Sequence, residues 1–121
     1  MKIEKIRWIS EAGQEAEVHL SDGSRACVAF CQPCEYEVGA AVAGPLRAFM
    51  TKNVMLSYEQ DVSLRNTNDN LFAYRCTARV IDPQHGLVCV GGLKIELDER
   101  IPAGVGGGDL VDFECARLDL W

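Results

Sequence analysis

Along most of the chain apolar and polar residues alternate with a period of two, and no 3.6-residue apolar stripe runs long enough for an amphipathic helix. Ala16, Val18 and Leu20 alternate with Glu15, Glu17 and His19, and Tyr74, Cys76, Ala78 and Val80 alternate with Arg75, Thr77 and Arg79. Val111, Phe113 and Cys115 likewise alternate with Asp112 and Glu114. Successive side chains of a strand point to opposite faces, so each run predicts one face on a core and one toward water. About seven strands follow from the pattern. They cover residues 2–9, 14–20 and 25–31, one long bent or two short strands within 46–58, a hairpin from Tyr74 returning over 87–97, and a last strand through Val111, Phe113 and Cys115.

The breaks carry turn chemistry. Asp22-Gly23 between alternating segments is a strong hairpin signal, and a two-residue turn there sets Val18 opposite Cys27 and Ala16 opposite Ala29. Asp82-Pro83-Gln84-His85-Gly86 supplies the next hairpin turn. Pro33, Gly39, Gly44 and Pro45 predict an irregular connection with one short helical turn around residues 38–43. The run Arg65-Asn66-Thr67-Asn68-Asp69-Asn70, within a polar stretch from Glu59, reads as surface loop. Gly91-Gly92 reads as a bend inside one strand, which gives Leu87, Cys89, Leu93, Ile95 and Leu97 the apolar parity. The parity changes near Arg117, so Leu118 and Leu120 require a bulge or a strand end.

Many short strands, hairpin turns, little helix and no internal repeat predict an all-β fold. The expected form is a small antiparallel barrel, OB-like in architecture, because closure removes exposed edges. One domain spanning residues 1–121 is expected, since this length buries a core without disulfide or metal staples.

Charge changes the picture of partners. Twelve basic against eighteen acidic residues leave a net charge of −6, opposite to what phosphate neutralisation requires, so nucleic acid is disfavoured. The acidity can steer the domain toward a basic protein partner, and the expected partner is another protein or a second copy in a homo-oligomer. No apolar stretch approaches the roughly 20 residues of a membrane span. The alternating Met1–Trp8 segment lacks the apolar core of a secretory signal, which predicts a cytoplasmic protein with reduced thiols.

Six cysteines are the distinctive chemistry. Cys27, Cys76, Cys89 and Cys115 fall on apolar parities and read as core residues. Cys31-Gln32-Pro33-Cys34 has the spacing of a redox dithiol or one zinc knuckle. Glu35 and Glu37 stand where a supporting helix would begin, and neither a second knuckle nor a convergent histidine accompanies the pair. A second candidate is an anion site: a four-residue loop after Asp82 would set Arg75 opposite Lys94, with Arg79 on the same outward face, and like charges so placed call for a counter-ion. Asp112 and Glu114 are the alternative neutralisers. Gly104 to Asp109 resembles a phosphate loop only in glycine content, because a strand rather than a helix follows. Trp8 and Trp121 either pack back on the barrel or serve an interface.

No catalytic constellation or cofactor motif is present in sequence. The expected function is therefore a non-enzymatic binding domain, most directly for another protein. A thiol redox or zinc protein centred on Cys31 and Cys34 is the alternative, and an anion- or nucleic-acid-binding barrel using Arg75, Arg79 and Lys94 is the third.

Overall fold

The computed structural model describes residues 1–67 and 70–121, so Asn68 and Asp69 of the expected surface loop lie outside the described residues. Eleven strands follow in order: β1 (Lys2–Ser10), β2 (Glu15–Ser21), β3 (Ala26–Cys31), β4 (Leu46–Phe49), β5 (Lys52–Leu56), β6 (Ser63–Asn66), β7 (Tyr74–Asp82), β8 (Leu87–Val90), β9 (Leu93–Glu96), β10 (Leu110–Cys115) and β11 (Arg117–Leu120). The all-β expectation stands. The described residues contain no helix, and the helical turn expected over 38–43 is a plain turn followed by a bridge between Ala41 and Lys2. None of the described elements is a helix long and apolar enough to cross a membrane.

The strands form one hydrogen-bonded ladder, β1-β2-β3-β11-β4-β9-β8-β7-β10-β5, with β6 against the first half of β7. Two features correct the expected antiparallel, OB-like barrel. β3 runs parallel to β11 and β4 parallel to β9, and the ladder ends at β1 and β5, which do not pair with each other. Turn residues encode only hairpins, whereas β11 reaches its slot between β3 and β4 from far along the chain.

The ladder still curls around a single core. Val28 on β3 donates its N–H to the Tyr74 hydroxyl of β7 at 2.8 Å, and outside the core Phe30 meets Phe72 edge to face with centroids 6.0 Å apart. Ile3, Val18, Leu20, Leu46, Val88, Ile95, Val111, Phe113 and Leu118 are all fully buried between these layers. Their alternate positions along each strand give the period-two pattern its physical meaning.

Three local corrections bear on the site. The β2–β3 turn centres on Gly23-Ser24 rather than Asp22-Gly23, so Cys27 pairs with Leu20 and Ala29 with Val18. The Asp22 carboxylate causes this by accepting the N–H groups of Ser24 and Arg25 at 2.8 and 2.7 Å. Gly91-Gly92 is a hairpin turn, with Val90 paired to Leu93. Gly91 has a φ of 61°, which glycine tolerates without strain. The same Asp22 carboxylate accepts the Gly92 N–H at 2.7 Å and so fastens one hairpin turn onto the other. Finally, the 46–58 stretch is two short strands, β4 and β5, divided at Met50-Thr51, whose N–H groups donate to Asp98 at 2.8 and 2.9 Å.

Candidate functional site

The thiols separate differently from their parities. Cys27, Cys76 and Cys115 are buried as expected, but Cys31 and Cys34 are buried as well, at 1% and 4% exposure. Burial pushes the Cys31 thiol up to about 12, helped by its hydrogen bond with Cys34 and by the Asp119 charge. Burial likewise raises Cys27 to about 12 and Cys115 to about 11. A redox or metal-binding cysteine needs its thiolate, and burial opposes it at Cys31. Groups of three or more potential metal ligands do not occur among the described residues.

Cys89 corrects the parity reading. Because Gly91-Gly92 reverses the chain, Val88 and Val90 take the core side and Cys89 turns outward, half-buried between its ladder neighbours Arg79 and Lys94.

The three basic candidates do not converge as the sequence predicts. Lys94 lies on β9, separated from β7 by β8, so it cannot stand opposite Arg75. Arg75 instead pairs with Glu114 on one side and Arg65 on the other. Its Nε and Nη2 donate to Glu114 Oε1 at 2.9 and 2.6 Å. Glu114 also accepts from Asn53 at 3.1 Å and lies 3.9 Å from Lys52 Nζ. The Arg75 and Asn53 bonds hold the Glu114 carboxyl below its ordinary range. Arg79 donates to the Gly108 carbonyl at 2.8 Å and does not reach this cluster. The expectation that Glu114 neutralises the basic face is met at Arg75, while Asp112 accepts the Thr77 hydroxyl at 2.6 Å instead.

Arg75, Thr77, Asp112 and Glu114 floor a groove of about 840 Å³, walled by β5, β6 and the 57–62 connector, which brings Glu59 and Asp61. Met55, Tyr58 and Val62 supply its apolar lining. β6 was not visible in sequence because Ser63-Leu64-Arg65-Asn66 carries no alternation strong enough to separate it from the polar run around it.

A second surface has different chemistry. On the outer side of β3, β11 and β4, the Arg117 guanidinium lies 4.6 Å from the Phe30 ring centroid and 4.9 Å from that of Phe49. Its Nε and Nη2 reach the Asp119 carboxylate at 2.6 and 3.2 Å. Arg47 stacks over Trp121 at 4.6 Å, and the Tyr36 hydroxyl donates to the Trp121 carbonyl at 2.5 Å. Trp121 is nevertheless 75% exposed, and Phe49, Met50 and Leu71 are also exposed. Trp8 is partly exposed at the far end of the ladder. Between Phe49 and Trp121 lies a cleft of about 200 Å³ edged by Glu96, Asp98 and Asp119.

Sequence reasoning found Trp121 but missed Phe30, Phe49, Arg47 and Arg117, which lie on three strands joined only by non-local pairing. One signal was available: Phe30 and Phe49 occupy polar-face positions of their strands, where a large ring is unexpected. No family model, no curated protein and no solved structure matches this chain.

Proposed function

We propose that the domain binds a basic protein partner through the aromatic and arginine-rich face of β3, β11 and β4. The observation that carries this reading is the stacked row Phe30–Arg117–Phe49, continued by Arg47 on Trp121, with Phe49 and Trp121 open to solvent. Large rings and arginine are the residue types that dominate protein-binding hot spots. Arg117 and Phe30 are already held in place by their mutual contacts, so little side-chain freedom is left to lose on association. The sign of the partner rests on charge: Glu96, Asp98 and Asp119 at the cleft edge stand against Arg47 and against Arg117, which pairs with Asp119, a small acidic excess, and the whole chain carries −6. Six free thiols suit a reducing compartment.

The test is affinity capture with three tagged forms: wild type, Phe49→Ser and Met55→Ser. Both substituted residues are exposed, so the fold should survive, which circular dichroism checks. The expected result is a basic protein retained by wild type and Met55→Ser, released by Phe49→Ser and weakened by salt. Equal retention by all three forms, or capture of nothing but a second copy of the chain, would reject this reading.

A further inference from the structure

The groove floor is ordered as two cross-strand rows. Arg65 on β6, Arg75 on β7, Glu114 on β10 and Lys52 on β5 are successive ladder partners. Ser63, Thr77, Asp112 and Met55 make the adjacent row on the same strands. The first row has three cations, of which Lys52 lies beyond the groove lining, against one carboxylate, and Glu59 and Asp61 on the 57–62 connector add two carboxylates to the wall. The second has one carboxylate and no cation. Two residues along a strand separate them, roughly 7 Å at about 3.4 Å per residue.

Each row also keeps unused bonding capacity. Arg65 makes no ion pair among the described residues, and Arg75 engages Glu114 through Nε and Nη2 only, which leaves Nη1 free. Asp112 receives the Thr77 hydroxyl on Oδ1, while Oδ2 has no partner among the described residues. Thr77 is itself buried, so its hydroxyl fixes the direction of the carboxylate. Like charges facing each other across β6 and β7, as Arg65 and Arg75 do, destabilise a sheet pair unless an anion joins them. Glu114 serves Arg75 from the other side, and Arg65 has no such anion among the described residues.

We propose that this groove is a binding site for a short zwitterion of dipeptide size, its carboxylate held by Arg65 and Arg75 and its ammonium by Asp112. Two residues of extended chain span about the distance between the rows. A volume of about 840 Å³ lies within the range of small-ligand sites, and Met55, Tyr58 and Val62 favour apolar side chains on the ligand. The site is separate from the aromatic face, so the two proposals stand or fall independently.

Isothermal titration of the full chain with leucyl-leucine, its N-acetyl form, its C-terminal amide and free leucine tests this directly. Leucyl-leucine is expected to bind saturably, and each blocked form and free leucine at least tenfold more weakly. Arg65→Gln should weaken leucyl-leucine about tenfold without changing the amide, because the amide no longer uses that row. Asp112→Asn should weaken it similarly without changing the N-acetyl form. No saturable binding of leucyl-leucine at millimolar concentration, or equal affinity for all four ligands, would overturn the proposal. So would unchanged leucyl-leucine binding in both variants, each confirmed folded by its melting curve.

Discussion

Arg117 and Arg75 perform the same elementary act on two outward surfaces, and their surroundings give it different consequences. Arg117 bonds Asp119 on its own strand and is closed above and below by Phe30 and Phe49, with its side chain 35% exposed. Arg75 bonds Glu114 on the neighbouring strand in an open groove, and its side chain is 71% exposed. Rings exclude water from the first pair and strengthen its electrostatics. Water reaches the second pair and screens it. The first surface is therefore a rigid, pre-arranged platform, and the second an adjustable floor whose charges stay open to water.

Both surfaces rest on one core, and removing part of it should have the largest effect. Leu118 on β11 is fully buried beneath the aromatic face, so Leu118→Ala is expected to cost about 2–5 kcal/mol in urea unfolding. Fluorescence of the exposed tryptophans and far-ultraviolet circular dichroism should then move together. Separate transitions would show that the two surfaces belong to independently folding parts.

A smaller loss separates the two arginines. Arg117→Ala removes two ring contacts and the Asp119 bonds, and about 1–2 kcal/mol of stability should go with them. Arg75→Ala should stay within the scatter of ordinary surface substitutions. Equal losses in chemical denaturation would erase the contrast between platform and floor.

The smallest effect is electrostatic and lies outside both surfaces, at the turn that fastens the hairpins. Backbone N–H groups of Arg25, Ser24 and Gly92 hold the Asp22 carboxyl down at about 2. A folded value depressed below the ordinary carboxylate, near 3.9, contributes stability that is complete above about pH 4 and lost as pH falls through 2. Wild type should therefore lose more stability than Asp22→Asn between these values. Glu114 is also held below its ordinary value by Arg75, and Glu114→Gln serves as the control that assigns the turn's share. Parallel acid profiles for wild type and Asp22→Asn would remove the turn from the account.

Legibility in the sequence followed the range of the interactions. The hairpin of β2 and β3 and the strand β7 were readable because alternation and turn residues are local, and so was the burial of Cys27, Cys76 and Cys115. Gly91-Gly92 misled because two glycines fit either a bend or a turn. Reading a bend put Cys89 in the core, when its side chain stands outside between Arg79 and Lys94. The slot of β11 between β3 and β4 was invisible for a different reason: parallel neighbours are brought together by the core they share, and no short motif announces them. That insertion builds the aromatic face. The groove was half legible, since Arg75, Asp112 and Glu114 were assigned to outward positions, while Arg65 was placed in a loop.

The role proposed for the β3–β11–β4 face is to receive a protein. Site-specific photo-crosslinking in the source cell tests it most directly, with a benzophenone side chain placed at Phe49 in one form and at Leu56, exposed on the edge strand β5, in another. A discrete adduct with a basic protein is expected from position 49 and none from position 56. An adduct from position 56 alone, or from neither position, would contradict it.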